Sequence, residues 1–287
     1  MIKTVFIAGP TGIGKTEYAI EYALEHGGEI ISADSMQIYK YMDIGSAKPT
    51  PLERAKVKHY LVDEIDPRDS FSVYDYKKLA MEYIRKVHSE GKLPIVCGGT
   101  GLYINALVYD MDFSAPEGDQ EYRDRIWKEC GEDPKLLHER LRSLDPKAAQ
   151  TIHPNNVKRV LRAVERLEKG EGTLAEFSSI ESESNELDCD IKVLCMDREK
   201  LYDRINRRVD KLYDMGLEKE VRGLMDMGFT ADDVAMKGIG YKEMIEALSR
   251  GESAESVREL IKQSSRRYAK RQITWFKRYK EAQFIEV

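Results

Sequence analysis

Residues 9–16 read Gly-Pro-Thr-Gly-Ile-Gly-Lys-Thr and match G-x-x-x-x-G-K-[ST] in full. They follow a short β-branched and apolar run, residues 2–8, and open a stretch of helical composition, residues 17–25. Strand, glycine-rich loop and helix in that order are the context that makes this pattern a phosphate-binding P-loop. Gly9, Gly12 and Gly14 let successive amides curl around phosphate oxygens, while Pro10, Thr11 and Ile13 contribute mainly backbone. The helix N-terminus adds a favourable dipole, Lys15 a cation, and Thr16 a hydroxyl able to ligate magnesium. A glycine turn that merely joined strand to helix would not require Lys15-Thr16.

The same unit restricts the fold. A second buried strand, 28–33, ends at Asp34, and a third, 93–97, ends at Gly98-Gly99-Thr100-Gly101 after a helical stretch at 74–89. Short apolar strands separated by helices predict an α/β fold: a P-loop NTPase-like parallel sheet flanked by helices. Functional groups in such sheets gather at the carboxyl ends of the strands, and all three motif regions sit at such ends. From 112 to 190 strong β runs are missing and charge is high, with helices expected at 121–130, 134–144 and 156–169. This stretch reads as a mainly helical insertion domain, closing with a polar, acidic tract at 178–190 expected to be a mobile surface connector. A strand at 191–196 then returns the chain to the sheet, and helical patterns fill 200–227, 241–249 and 254–281. The expected organisation is a catalytic core, 1–111 with 191–287, interrupted by the insertion at 112–190.

With 287 residues, 41% of them hydrophobic, a sizeable core is within reach. No apolar run is long enough to span a bilayer, and Met1 leads straight into a short strand, so a soluble protein without a cleaved signal is expected. Cys97, Cys130, Cys189 and Cys195 show no C-x-x-C spacing, which suggests neither a zinc site nor a disulfide framework and fits the cytoplasm. The formal net charge of -5 averages over the surface and leaves room for local basic stripes.

Asp34 is the leading candidate for chemistry beside the loop. It could hold a magnesium-bound water or accept a proton from a nucleophile as general base, yet Asp34-Ser35-Met36-Gln37 equally fits a capping box. Gly98 to Gly101 would bring backbone close to a ligand and expose the Thr100 hydroxyl, although such glycine runs are often only tight turns. Arg204 and Arg208 share a helix face and could clamp a pyrophosphate, or be ordinary surface arginines. Residues 258–280 hold nine lysines or arginines and one acid, interleaved with Tyr268, Trp275, Phe276 and Tyr279. That suits phosphate contacts with base stacking, and suits equally an amphipathic helix with aromatics inward and cations outward. His153-Pro154-Asn155-Asn156 with Lys158, Arg159 and Arg162 forms a second basic cluster, in which a lone His153 is more often structural.

In order, these pieces resemble the bacterial tRNA dimethylallyltransferases, also called tRNA isopentenyltransferases. The resemblance runs nearly end to end. It rests on the P-loop, on Asp34-Ser35-Met36-Gln37-Ile38-Tyr39 continuing to Met42-Asp43-Ile44-Gly45-Ser46-Ala47-Lys48-Pro49, and on Gly98-Gly99-Thr100-Gly101-Leu102-Tyr103. It continues through Ile152-His153-Pro154-Asn155, Gly238-Ile239-Gly240-Tyr241-Lys242-Glu243 and Arg267-Tyr268-Ala269-Lys270-Arg271-Gln272-Ile273-Thr274-Trp275-Phe276. The resemblance implies transfer of a dimethylallyl group from dimethylallyl diphosphate to N6 of the adenine immediately 3′ of a tRNA anticodon. The P-loop would then hold a prenyl diphosphate rather than ATP. Lys15 and Thr16 with Mg2+, helped by Arg204 or Arg208, would stabilise the departing diphosphate, while Asp34 would take the amine proton. Asp34, Ser35, Met36, Gln37 and Thr100 would line the pocket for an extruded base.

By the same resemblance, the anticodon stem-loop would be gripped by Lys158, Arg159 and Arg162 with Val160 and Leu161 between them, by Arg123, and by Lys237, Tyr241 and Lys242. Arg267, Lys270, Arg271 and Trp275 of the basic carboxyl-terminal helix would join them. Eukaryotic members append a zinc-finger-like tail, and none follows Val287, so a bacterial type is expected; separately, a monomer is expected. Thr11-Gly12-Ile13 departs from the Thr-Ala-Ser common in relatives, at positions that contribute mainly backbone.

Other readings of the residues remain. A P-loop kinase would use Lys15 and Thr16 on ATP and Asp34 on an acceptor hydroxyl, but has no need of the basic helix. An isopentenyltransferase for free adenine nucleotides would not need the helical insertion. An NTP-dependent RNA-binding switch would explain the P-loop and the cations but not Asp34 to Gln37 together with Gly98 to Gly101.

Overall fold

The computed structural model describes residues 1–109, 119–170 and 184–287. What the sequence suggested for residues 112–118 and 178–183 falls outside the described residues. The chain divides into two compact units, Met1–Val108 with Ser184–Val287, and Tyr109–Glu183.

In the first unit, six strands form one sheet: β1 (Ile2–Ala8), β2 (Gly28–Ser32), β3 (His59–Tyr60), β4 (Leu93–Gly98), β5 (Leu187–Cys195) and β6 (Gln283–Glu286). Their order is β3-β2-β4-β1-β5-β6, and every pairing is parallel. Because helices cover both faces, the central strand reads as an unbroken apolar run rather than an alternating one. Val5, Phe6, Ile7 and Ala8 are all fully buried. The connections leaving β1 and β4 run to opposite sides of the sheet, towards β2 and β5, and a crevice opens at the strand ends where such neighbours diverge.

The helices of this unit before the insertion are α1 (Lys15–His26), α2 (Pro51–Lys56), α3 (Val73–Ser89) and α4 (Gly101–Val108). A capping box between Ser72 and Asp75 starts α3, which buries Tyr76, Ala80, Ile84 and Val87 at helical spacing. The second unit holds α5 (Gln120–Glu129), α6 (Pro134–Leu144), α7 (Pro146–Thr151) and α8 (Val157–Glu168). Asp119, Asp133 and Asp145 cap α5, α6 and α7, and proline opens α6 and α7, where its missing N–H is harmless. The four helices close on Ile126, Leu137, Leu141, Ala148, Val160, Ala163 and Val164. Back in the first unit, α9 (Arg198–Asp214), α10 (Leu217–Asp226), α11 (Tyr241–Ser249) and α12 (Arg258–Phe276) follow.

Several boundaries differ from expectation for physical reasons. The long helix read over 200–227 is two helices, because Gly216 takes a left-handed conformation at φ 99° between them. The helix read to residue 281 ends at Phe276, and residues 283–286 pair with β5 as an edge strand. Residues 187–190, read as part of the polar connector, already belong to β5: Leu187 pairs with Ile2 and is buried, while Asp190 is neutralised by Lys192 at 3.0 Å.

Leu137→Ala should open a cavity costing about 2–5 kcal/mol within the helical unit. Hydrogen exchange should then quicken across α6 and α8 while β1 and β4 keep their protection. Unchanged exchange in α6 and α8 would show that these four helices do not share one core.

Candidate active site

The loop after β1 is built from backbone. Gly9, Gly12 and Gly14 take φ of 150°, 79° and 101°, and only glycine adopts these without strain. At Gly12 a side chain would also meet Ile205 at 2.9 Å. Gly14 stands at the start of α1 and brings no side-chain cap, so the first-turn amides stay available to an anion. Lys15 Nζ donates to the Pro10 carbonyl at 2.9 Å, folding its side chain back along the loop. Burial pulls the Lys15 ammonium down to about 8, with Arg208 pushing the same way, while Cys97 and Asp34 support the charge. The neighbouring Cys97 thiol is pushed up to about 12 by its own burial and is no nucleophile at neutral pH.

Asp34 follows β2, and its two oxygens are in different situations. Oδ1 accepts the Met36 amide at 2.9 Å and the Gln37 amide at 3.4 Å, which caps a turn; the expected capping box is not formed, because no helix follows and the Gln37 side chain bonds Ser32 and Ala47 instead. Oδ2 takes no hydrogen bond from the described residues and is left for other work. Thr100, at the end of β4, donates its amide to the Ala33 carbonyl at 3.0 Å, and its hydroxyl accepts the Ser35 amide at 3.0 Å and contacts Ser35 Oγ at 3.3 Å. The close packing of β2 on β4 demands glycine at 98, where a Cβ would lie 2.1 Å from the Ala33 carbonyl oxygen. Gln37 is held in place as well: its Oε1 accepts from Ser32 Oγ at 3.3 Å and its Nε2 donates to the Ala47 carbonyl at 3.1 Å.

Two clefts meet here. One, of about 610 Å³, runs along Thr11, Gly12, Gly14, Lys15 and Thr16 beneath Arg204, Arg207 and Arg208. The other, of about 280 Å³, is lined by Ser35, Met36, Gly238, Ile239 and Arg271 among others. Asp34, Thr11, Arg208 and Tyr268 border both. Burial weakens the hold of Arg208 on its proton while the Asp34 charge strengthens it. Burial and the Asp34 charge together push the Tyr268 phenol up to about 12, so it stays neutral. Among the described residues, Lys15, Arg204 and Arg208 have no carboxylate within ion-pair distance. Lys48, on the rim of the larger cleft, is by contrast held by Asp43 at 2.6 Å and by Asp63.

Other expected residues lie elsewhere. Tyr241, read as facing RNA, is 1% exposed: its ring packs under Gly45, and its hydroxyl accepts the Ser46 amide at 3.1 Å while donating to Glu220 at 2.7 Å. Val160 is fully buried in the core of the helical unit, and Leu161 packs on that core. Arg123 is spent on buried Glu165 at 2.6 Å. Trp275 stacks against Gly101 and donates to Asn105 at 3.2 Å, so its indole faces the fold. Lys158, Arg159 and Arg162 are exposed on α8, as are Arg267, Lys270 and Arg271 on α12, and Lys237 and Lys242 flank Gly238 to Tyr241 in the open.

Two partners escaped the sequence reading. The Glu220 carboxylate gathers the amides of Asp43, Ile44 and Gly45 at 2.8, 2.7 and 3.0 Å. Gln272 joins the two glycine loops. Both stand far along the chain from what they touch, and the one available signal for Gln272 was its place in the Arg267 to Phe276 motif.

A family model described as IPP transferase matches residues 37–279. The tRNA dimethylallyltransferase of Acetivibrio thermocellus is 48% identical, the alignment covering 99% of this chain and 92% of the relative. That of Clostridioides difficile is 47% identical, with 100% and 92% covered. These alignments include the P-loop and Asp34, which precede the segment matched by the family model. Among solved structures, the tRNA isopentenylpyrophosphate transferase of Bacillus halodurans superposes with a TM-score of 0.73 at 40% identity, covering 100% of this chain and 90% of that one. A eukaryotic dimethylallyltransferase solved while acting on tRNA gives 0.84 at 28% identity, with 100% and 74% covered. With the phosphate loop, the facing carboxylate and relatives that align over nearly all of its length, this chain belongs to the IPP transferase family, the tRNA dimethylallyltransferases.

Proposed function

We propose that the protein transfers the dimethylallyl group of dimethylallyl diphosphate to N6 of the adenine 3′-adjacent to the anticodon of tRNA, releasing diphosphate. The observation that carries this reading is the meeting of two clefts at Asp34, one lined by the amides of the loop and by Lys15, Arg204 and Arg208, which have no carboxylate within ion-pair distance among the described residues, the other roomy enough for part of a second substrate. In the reaction the adenine N6 attacks the first carbon of the allyl chain as that carbon's bond to oxygen breaks. The nitrogen's proton goes to Asp34 Oδ2, and the electron pair leaves with the diphosphate. Lys15, Arg204 and Arg208 meet the growing negative charge with the amides of the loop.

The donor set suits Mg2+ brought in with the diphosphate. No cluster of three acids, histidines or cysteines stands among the described residues, whereas Thr16 lines the larger cleft, and magnesium commonly takes one or two protein ligands plus phosphate oxygens and water. When bound, the ion neutralises charge on the leaving group. Thr100 holds Ser35, and Ser35 to Gln37 form the wall against which an extruded base would rest. The anticodon stem-loop would be gripped by exposed Lys158, Arg159 and Arg162, and by Arg267, Lys270 and Arg271. No helix among the described residues is long and apolar enough to cross a membrane.

Incubation with magnesium, labelled dimethylallyl diphosphate and unmodified tRNA should yield N6-dimethylallyladenosine, with free AMP not substituting. Transfer to AMP but not to tRNA would reject the assignment. Asp34→Asn keeps an acceptor for the Met36 amide but removes the base, and should slow single-turnover transfer about 10²–10⁴-fold with tRNA affinity little changed. A wild-type rate in that variant would leave Asp34 as a cap only. Lys15 is charged below about pH 8 and neutral above it, so diphosphate binding should weaken as pH rises past about 8 and take up a proton there. Calorimetry in buffers of different ionisation heat measures that uptake, which Lys15→Met should abolish.

A further inference from the structure

Gln272 is a neutral side chain with both ends committed to the two glycine-rich loops of the site. Its Oε1 accepts the Thr11 amide at 2.9 Å, and its Nε2 donates to the Gly99 carbonyl at 2.8 Å. It stands on α12, 261 residues from one partner and 173 from the other, and is 6% exposed. The fit leaves no slack, since a Cβ at Gly99 would come within 2.3 Å of Nε2. The bond also withdraws the Thr11 amide from any phosphate, so that amide fixes the loop instead of binding the ligand.

The two ends lead directly to the reacting groups. On one side, Thr11 follows Pro10, whose carbonyl accepts the Lys15 ammonium at 2.9 Å. On the other, Gly99 precedes Thr100, whose hydroxyl accepts the Ser35 amide next to Asp34 at 3.0 Å. We infer that Gln272 is a positioning residue for group transfer: by holding the Thr11 amide and the Gly99 carbonyl on one planar amide, it sets the spacing between the diphosphate loop and the Asp34–Thr100 pair. This rests on the transfer reading above. The side chain must accept at one end and donate at the other. A carboxylate of the same shape accepts from Thr11 but sets like charge against the Gly99 carbonyl, whereas a protonated carboxylic acid reproduces both bonds.

Gln272→Glu therefore tests spacing without changing shape. Burial raises a carboxyl's pKa towards neutrality, so the introduced group changes form within the working range. In single-turnover assays with dimethylallyl diphosphate and tRNA, the ratio of the Q272E rate to the wild-type rate should approach one at low pH and fall as pH rises. Gln272→Met, which supplies neither bond at any pH, should be slower than wild type by about 10²-fold throughout, the scale expected of reacting groups displaced by about 1 Å. Its KM for the donor should change little, because the amides from Gly12 to Thr16 remain. Recovery of Q272E at low pH shows that the fold is intact. A pH-independent ratio for Q272E, or a Q272M defect confined to KM, would overturn the positioning role. If wild type itself transfers nothing to tRNA, the transfer reading fails instead.

Discussion

An ammonium taken out of water stays charged only when something negative comes to meet it. Lys15 has no carboxylate within ion-pair distance among the described residues; its one direct partner is the Pro10 carbonyl, and burial has drawn its pKa to about 8. Lys48 has the opposite environment. Its side chain is 4% exposed, but Asp43 and Asp63 hold it. The first arrangement leaves an anion missing and the second does not. The site is organised around that deficit: β1 carries the loop to the centre of the sheet, left-handed glycines turn its amides inward, and Arg204 and Arg208 add charge with no carboxylate within ion-pair distance among the described residues.

Meeting the deficit with the right anion requires the other loops to be held still, and much of that work comes from the far end of the chain. Glu220 satisfies three successive amides of the 43–45 turn, and the Tyr241 hydroxyl bridges Glu220 to Ser46. The α12 helix places Tyr268 beside Asp34, Gln272 between the glycine loops and Trp275 against Gly101. The carboxyl-terminal helices thus serve as a frame on their inner face, while Arg267 and Lys270 of α12 are exposed and Arg271 reaches the smaller cleft. Of the two readings of that basic, aromatic helix, the amphipathic one is seen directly, with Trp275, Phe276 and Tyr279 packed inward.

What could be read from the sequence is what short stretches decide for themselves. The P-loop, the four longer strands and most helices are local patterns of apolar spacing, glycine and caps, and they stand where the residues said, apart from the start of β5, which reaches back to Leu187. β3 and β6 escaped because strands of two and four residues at sheet edges have no pattern of their own and exist by pairing. Gly216 was hidden inside a helical pattern whose period it does not disturb. Gln272 and Glu220 escaped for the same reason that they matter, since their partners are long-range backbone groups that leave no mark near them in the sequence. Tyr241 and Val160 were misplaced because a motif position says that a residue is needed without saying whether it faces the ligand or the core.

On the proposed transfer, the two oxygens of Asp34 divide its two roles. Amides at Met36 and Gln37 hold Oδ1, which fixes the plane of the carboxylate and aims Oδ2 without occupying it. The charge on that carboxylate also supports the guanidinium of Arg208, whose burial opposes its proton. On the proposed transfer, this coupling has a direction. When the amine proton reaches Asp34, the anion that Arg208 faced is neutralised, and in the same event the breaking bond creates a new anion on the diphosphate side of the cleft. Arg208 borders both clefts, so the charge it stabilised before the reaction can be exchanged for the one that forms during it. A buried cation placed between base and leaving group thus favours passage from one charge distribution to the other, which is what stabilising a transition state rather than a substrate requires.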